Sequence, residues 1–195
     1  MSVARAPAVR PTRGAPPSAA RTRVIDAALG LFAEHGISGT SLQMIADAIG
    51  VTKAAVYHQY HTKDEIVVAV AGVVLTGLEA ALEAAEAERS RARSREVLVA
   101  GMIDLAVEQR RMAGILQQDP VMLRFLREHE PFRRVIERVN RVLMGGASDA
   151  RAAVLAAAIS GAIAGAVTHP LVAELDDASL HLHLRRHVGR LLPSR

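Results

Sequence analysis

The residues with the clearest capacity for chemistry lie together in one short polar window. The chain's only lysines, Lys53 and Lys63, and its only tyrosines, Tyr57 and Tyr60, fall within one stretch of eleven residues. Two alanines follow Lys53, so a helix through this window would present a slim outer face beside ammonium and phenol donors. The major groove of duplex DNA admits a single helix, and donors of this kind contact phosphates and base edges. The window therefore favours nucleic-acid binding.

Catalytic and metal-binding signals are weak by comparison. The chain has no cysteine, which excludes a thiolate nucleophile, a disulfide framework and a cysteine-ligated zinc. It contains no HExxH, no GxSxG, no phosphate-binding glycine loop and no paired catalytic carboxylates in a suitable context. His183 and His187 stand four apart with His181 nearby, but a carboxylate and a third ligand at a convincing spacing are missing. We expect no enzyme activity, no metal and no cofactor.

Two short helices are predicted ahead of the window. Thr40 and Gln43 have the spacing of a capping box and would open the second helix, which Gly50 would end. Gly36 is placed like the C-cap of the first helix. The apolar residues of that first helix recur at helical spacing: Val24, Ala27, Ala28, Leu31 and Phe32.

A third short helix and a long fourth helix are predicted through and beyond the window. Thr52 can cap the third helix, in which Val56 and Tyr60 stand four apart on the inward side. Thr62 and Glu65 form a second capping box, which would open a helix that runs to about residue 88. A helical pair joined by a glycine turn is the geometry that reads a major groove.

The rest of the chain is also predicted to be helical, with no credible strand. The segment from Glu88 to Arg95 is interpreted as a solvated connection or a frayed helix end. Further helices are expected over about 96–117, after Pro120, from Pro131 to the Gly145-Gly146 pair, from Ser148 or Asp149 to Thr168, and over about 177–192.

The positive charge of the chain is concentrated at its N-terminus. Residues 1–20 are rich in proline, alanine and arginine without an apolar period, and we predict a disordered basic arm. Residues 1–23 contain five arginines and no acid, so they carry a charge of +5. The rest of the chain carries −1, which gives the net charge of +4. The five residues are Arg5, Arg10, Arg13, Arg21 and Arg23. Long-range attraction to DNA is expected to come largely from this arm.

The run Gly50–Ile66, GVTKAAVYHQYHTKDEI, closely resembles the recognition segment of the TetR family. The resemblance covers roughly residues 21–70, with Val56 and Tyr60 standing where the family more often has leucine and phenylalanine. Upstream residues also match the family's first two helices: Leu31-Phe32, Gly36, Thr40-Ser41-Leu42, Ile45-Ala46 and Ile49.

The resemblance implies roles for seven residues. Lys63, in the first turn of the fourth helix, opposes the helix dipole there, and a nearby phosphate would offset that cost. By position, the resemblance implies that Thr40, Tyr57 and Lys63 contact phosphates, while Thr52, Lys53, Ala54 and His58 lie at or near base edges.

One such unit covers only a few base pairs, so useful specificity calls for a homodimer on a palindromic site with half-sites about 34 Å apart, or a multiple of that distance. The predicted helices over about 148–168 and 177–192 are expected to form the interface, as the last two helices do in the family. Gly161 and Gly165 would let backbones approach closely. A membrane-spanning helix is not expected, because the uninterrupted apolar run is shorter than the ~20 residues a bilayer needs.

The middle of the chain suits a pocket for an apolar ligand, although the same residues would suit a plain core. Methionine side chains adapt to varied shapes, and a few polar groups could orient a ligand. The candidate ligand-binding residues are Met102, Leu105, Gln109, Met112, Leu116, Phe125, Asn140 and His169.

The sequence thus predicts an all-α protein of the cytoplasm. Residues 21–65 would form a three-helix helix-turn-helix DNA-binding domain, and residues 66–195 a helical ligand-binding and dimerisation domain. The predicted function is a repressor released from a palindromic operator by a small apolar ligand. The alternatives are a non-sensing dimeric architectural DNA-binding protein and a ligand-dependent activator.

Overall fold

The computed structural model describes residues 18–146 and 149–192, which form ten α-helices, two short 3₁₀ turns and no strand. The 3₁₀ turns cover Pro170–Val172 and Gly189–Leu191. The helices are α1 (Ala19–Gly39), α2 (Leu42–Ala48), α3 (Lys53–Gln59), α4 (Lys63–Glu86), α5 (Arg91–Glu108), α6 (Arg110–Gln118), α7 (Pro120–Glu128), α8 (Glu130–Met144), α9 (Ala150–Val167) and α10 (Asp177–Val188). The all-α prediction is confirmed.

Helix α1 contains a break at Gly36, where φ is +71° and ψ is 165°. This conformation is rare for residues with a side chain, and it turns the last residues of α1 away from the axis of the first part. The expected end of the first helical run at Gly36 is therefore confirmed. The helix starts earlier than the apolar pattern indicated, because Ser18 accepts a hydrogen bond from the Arg21 amide at its N-terminus. Residues 1–17 of the predicted arm lie outside the described residues.

Capping decides where the next helices begin. The predicted capping box of Thr40 and Gln43 is wrong: Ser41 caps α2 by accepting from the Met44 amide, and Gln43 donates to Asp47 instead. The cap expected at Thr52 is confirmed, since its hydroxyl accepts from the amide three residues on.

Helix α4 opens with a reciprocal pair of hydrogen bonds. The Thr62 hydroxyl accepts from the Glu65 amide at 3.1 Å, and the Glu65 carboxylate accepts from the His61 amide at 2.8 Å. In the predicted capping box the Glu65 carboxylate would accept from the amide of Thr62, whereas here it accepts from the amide of the preceding residue, His61. Because α4 begins directly after α3, its orientation determines where α3 is presented.

The segment around α5 and α6 differs from the sequence prediction in two places. The segment predicted as a connection is helical from Arg91, because Ser90 caps α5 by accepting from the Arg93 amide. The single helix predicted over 96–117 is two helices, because Gln109 adopts φ −112° and ψ 39° between them. The chain changes direction there, and α6 packs against α1 and α9.

The later helices begin and end close to the predicted positions. Asp119 caps α7 ahead of Pro120, and Gly145, with φ +63°, ends α8. Asp149 caps α9; the alternative cap, Ser148, lies outside the described residues. The helix predicted to reach residue 192 ends at Val188 and continues as a 3₁₀ turn.

Two helices, α4 and α9, could cross a membrane by length and apolar composition alone. Helix α4 buries Ile66, Val70 and Leu82 completely, so packing in the bundle accounts for its composition. Helix α9 buries Ile159 on one side and leaves Val154 69% exposed on the other. Two such helices are weak evidence for a membrane protein, because core helices of soluble bundles share these properties.

Candidate nucleic-acid interface

Helix α3 has a buried side and an exposed side. Val56 is fully buried and Tyr60, at the C-terminal end of the helix, is 2% exposed, as predicted. The exposed side carries five of the seven predicted DNA-contacting residues, with Tyr57 54% exposed and its ring edge-on to His61. Those five are Thr52, Lys53, Ala54, Tyr57 and His58. This side of α3 combines a slim profile with a cation, a phenol and an imidazole.

The turn between α2 and α3 fixes how α3 is presented. Gly50 has φ +68°, and the Val51 amide donates to the Ala46 carbonyl at 3.0 Å, which closes the turn. Ile45 and Ala46 of α2 are fully buried beneath it. The two helices therefore meet as a helix-turn-helix with a tightly packed inner side.

Arg21 and Arg23, which precede the first predicted apolar run, are helical and lie beside α3. The guanidinium of Arg23 donates to the carbonyl of Ile49 at 2.9 Å, and that of Arg21 lies 4.6 Å from the centre of the Tyr60 ring. Both arginines are exposed, so they add positive charge next to the polar side of α3. The cap at Ser18 was the local signal that could have placed them in α1.

Thr40 and Lys63, the two remaining predicted phosphate contacts, point inward. The Thr40 side chain is buried, and its hydroxyl donates towards the Gly36 carbonyl at 2.8 Å. The Lys63 ammonium donates to the carbonyls of Ile37 and Thr40 at 2.7 and 3.0 Å. Carbonyls at the end of α1 therefore stabilise the charge of Lys63 against the dipole of α4, and its phosphate contact stays a prediction.

A largely apolar cavity of about 130 Å³ lies among α4, α5, α6 and α9. Five of the eight candidate ligand-binding residues line it: Met102, Leu105, Gln109, Met112 and Leu116. The other three do not. Phe125 stacks on His129 at 4.7 Å between ring centres, the His169 ring accepts from the Leu171 amide, and Asn140 lies on α8.

Three large apolar side chains are exposed on α9, on α10 and in the turn between them. Val154 and Leu182 are 69% and 65% exposed, and Leu171, between the two helices, is 87% exposed. Exposed apolar side chains that form one patch are typical of a protein interface.

The histidines of α10 have separate surroundings. His181 contacts the Asp104 carboxylate of α5, which also accepts from Arg185 at 3.0 Å. The rings of His183 and His187 stack 6.3 Å apart on the exposed side. Within residues 18–146 and 149–192 no group of three or more potential metal ligands comes together.

Comparison with known proteins gives a family match at the helix-turn-helix. Residues 24–70 match the family model described as bacterial regulatory proteins, tetR family. A transcriptional repressor of Rhodococcus jostii, KstR2, is 40% identical over 50 residues, which are 26% of this chain and 24% of that protein. The regulator BetI of Burkholderia mallei is 32% identical over 128 residues, 62% of this chain and 60% of that protein. The chain thus spans about a quarter of the first curated relatives that it matches.

Solved structures share the fold over nearly the whole chain. The ketosteroid transcriptional regulator KstR2 of Mycobacterium tuberculosis aligns with a TM-score of 0.73 and 17% identity, covering 91% of this chain and 95% of that one. AibR, solved with isovaleryl coenzyme A and operator DNA, aligns with a TM-score of 0.64 and 19% identity, covering 90% and 100%. At these identities the likeness concerns the fold.

Proposed function

Since the chain belongs to the TetR family of bacterial regulatory proteins, we propose that it is a cytoplasmic, non-enzymatic transcriptional regulator that binds DNA through α3. The observation that carries this proposal is the two-sided character of α3. Its inner side is held by Val56 and Tyr60, and its outer side offers Lys53, Tyr57 and His58 to a groove. Small residues at Ala54 and Ala55 leave room for the base edges.

In this proposal, α3 enters the major groove by its N-terminal end. Thr52, Lys53, Ala54 and His58 face base edges, and Tyr57 contacts a phosphate from the edge of the helix. Arg21 and Arg23 supply further phosphate contacts from the start of α1. Lys63 and Thr40 act mainly by holding α4 and α1 together, and their own phosphate contacts stay a prediction.

We further propose that the regulator is a homodimer on a palindromic site. The exposed apolar residues Val154 of α9, Leu182 of α10 and Leu171 between these helices support this proposal as part of the interface. A two-fold axis between two copies would place two α3 helices on successive major grooves, about 34 Å apart or a multiple of that distance.

The cavity supports the proposal that the regulator binds a small apolar effector. A cavity of similar size, about 150 Å³, is known to hold benzene. Among the structural neighbours, one is described as a ketosteroid transcriptional regulator and another was solved with isovaleryl coenzyme A, whose isovaleryl group is a short apolar chain. By analogy, we propose that an apolar compound enters between α5, α6 and α9 and that it releases the repressor from its operator.

The effector proposal is tested by ligand-dependent stabilisation. A panel of small hydrocarbons, ketones and short fatty acids is screened by thermal unfolding of the wild type and of Ala106→Leu, which fills the cavity from its wall. A compound that binds the cavity raises the melting temperature of the wild type and leaves that of the variant unchanged. Equal stabilisation of both proteins would place the compound elsewhere.

DNA binding is tested by selection from a random duplex pool with the full chain. We expect enrichment of an inverted repeat, followed by an affinity loss of about 5- to 30-fold for Lys53→Ala, which removes a base-edge donor worth ~1–2 kcal/mol. Glu83→Ala, an exposed position on α4, serves as the control variant and keeps full affinity. If no sequence is enriched, the proposed function is wrong.

A further inference from the structure

Asp119, at the junction of α6 and α7, joins the effector-binding part of the chain to the helix-turn-helix. We infer that this carboxylate is a positioning residue: it holds Ile37 of α1 and through it the placement of α4 and α3. The inference rests on the proposed function and goes beyond it by assigning the contact that transmits the state of the cavity.

The two oxygens of Asp119 have different partners. Oδ1 accepts from the amides of Val121 and Met122 at 2.8 and 3.1 Å, which is the N-cap of α7. Oδ2 accepts from the amide of Ile37, 82 residues away, at 2.8 Å. Oδ1 therefore makes only local hydrogen bonds, while Oδ2 makes a hydrogen bond that joins the α6–α7 junction to α1.

The Ile37 amide can donate to Asp119, and not to a carbonyl within α1, because the chain is not helical at Gly36. With φ at +71° there, the regular hydrogen-bonding pattern of α1 is interrupted. The amide is part-buried, so losing its acceptor would leave a polar group poorly solvated. A Cβ at Gly36 would lie 3.3 Å from Asp119 Oδ2, so a glycine also makes room for the carboxylate.

The connection continues from Ile37 to the DNA-binding elements. The Ile37 carbonyl accepts from the Lys63 ammonium at 2.7 Å, and Lys63 is the first residue of α4. Only three residues separate the end of α3 from the start of α4. Ile37 is thus held on one side by Asp119 and on the other by the lysine that orients the start of α4.

The other end of the connection is the cavity. Helix α6, which leads directly into Asp119, lines the cavity with Met112, Ala113 and Leu116. Among the described residues, the bond from Ile37 to Asp119 is the only direct hydrogen bond between residues 18–62 and 91–192. A compound that displaces α6 would therefore disturb this hydrogen bond together with the packing of α6 on α1.

Asp119→Asn separates the two tasks of the side chain. Asparagine keeps an oxygen for the cap of α7, and it caps helices as well as aspartate does. Its amide nitrogen cannot accept from the Ile37 amide, so the hydrogen bond between α1 and Asp119 is lost.

The matched control is Asp149→Asn, because Asp149 caps α9 through the Ala152 amide at 2.7 Å and the substitution makes the same change in charge. Asp119→Ser, with a single short acceptor, is a second variant with the same expectation.

The test uses the full chain and the DNA enriched by the wild type. For Asp119→Asn and Asp119→Ser we expect about tenfold faster hydrogen exchange at Ile37 and in α3. We also expect DNA affinity about 5- to 20-fold below that of Asp149→Asn.

Faster exchange at Ile37 with unchanged exchange in α3 and unchanged affinity would overturn the inference, because Asp119 would then stabilise only its own surroundings. Unaltered exchange at Ile37 would overturn it as well. If the wild type enriches no DNA, the proposed function fails by itself, and the exchange measurement still decides whether Asp119 controls α3.

Discussion

The two lysines of the chain are ten positions apart and carry the same charge, but their surroundings are opposite. Lys53 is exposed on the outer side of α3, whereas Lys63 donates to carbonyls at the end of α1. A cation at helix C-terminal carbonyls stabilises a fold, while an exposed one leaves stability nearly unchanged. The same residue type is therefore available for the proposed DNA contact at one position and has a structural role at the other.

This difference gives the first prediction, which concerns stability. Lys63→Met keeps the length of the side chain and removes its donors, so we expect the free energy of unfolding to fall by about 1.5–3 kcal/mol. Lys53→Met is the control, with a change within about 0.5 kcal/mol. Urea denaturation monitored by circular dichroism measures both. Equal stabilities for the two variants would contradict the structural role of Lys63.

The second prediction concerns pH and the carboxylate of Asp104. Burial, the largest single influence, would raise the pKa of Asp104, but its hydrogen bonds with His181 and Arg185 and their charges together outweigh burial and lower it. A lowered pKa in the folded state stabilises the protein above the usual value of about 3.9 and loses that effect as the pH falls below it.

We therefore expect Asp104→Asn to be less stable than the wild type at pH 7, with the difference shrinking towards pH 3. Urea denaturation at both pH values measures this difference. Asp26→Asn, at an exposed position of α1, is the control for a carboxylate without such partners in the described residues. A wild-type advantage that is the same at pH 7 and pH 3 would contradict the prediction.

Side-chain direction was predictable from the sequence only where a helical period defined it. Val56 and Tyr60 stand four apart on α3, and both are buried as predicted. Thr40 and Lys63 lie at helix ends, where no period constrains the side chain, and no local pattern indicated that they turn inward. Their partners are carbonyls exposed by the break at Gly36.

At the scale of the helices, the close approach of α4 and α5 makes their contact sensitive to mutation. A Cβ at Gly101 would lie 2.7 Å from the Ala81 Cβ and 3.4 Å from the Ala81 Cα. Because the Ala81 Cβ is fixed to the backbone and cannot rotate away, the helices would have to separate. The third prediction is that Gly101→Ala lowers the free energy of unfolding by about 1–3 kcal/mol.

Gly72→Ala is the matched control for this prediction. Gly72 lies within α4, and a Cβ added at this position would meet nothing within 4 Å. Alanine there is expected to stabilise the protein by up to about 1 kcal/mol, since it favours the helix at no steric cost. Thermal unfolding of the two variants should therefore shift in opposite directions, and a shift in the same direction would contradict the packing.

The helix pattern was predictable in outline and less so at its boundaries. Caps such as Thr52 and Asp119 are local signals, and the helices begin where these residues stand. The break at Gln109 has no local signal, because neither glycine nor proline is present there. It follows from the packing of α6 against α1 and α9, which only the assembled fold determines.

The exposed apolar residues of α9 and α10 lead to the fourth prediction, which concerns the proposed dimer. Leu182→Glu introduces a charge into the proposed interface, so we expect the proposed homodimer to dissociate into monomers. Sedimentation equilibrium measures the mass. Val68→Glu, at a 41% exposed apolar position of α4, is the control and stays dimeric. A dimeric Leu182→Glu variant would place the interface elsewhere.

Long-range connections were beyond what the sequence could predict. The bond between Ile37 and Asp119 joins residues 82 positions apart, and each residue has an ordinary local explanation. The lining of the cavity could be predicted only in part for the same reason. Five of the eight candidate residues line it, while Phe125, Asn140 and His169 lie elsewhere. Periodicity indicates which residues are apolar, but the crossing of α5, α6 and α9 decides which of them meet.

The proposed entry of α3 into the major groove can be tested by cross-linking, because the chain contains no cysteine. Ala54→Cys places a single thiol on the outer side of α3, and Ala87→Cys places one at the exposed end of α4. Each variant is mixed with the selected DNA carrying a disulfide-linked thiol on a major-groove base edge. We expect efficient cross-linking of Ala54→Cys within each half-site and none of Ala87→Cys. Failure of Ala54→Cys to cross-link at any base position, under conditions in which the protein binds that DNA, would contradict this placement of α3.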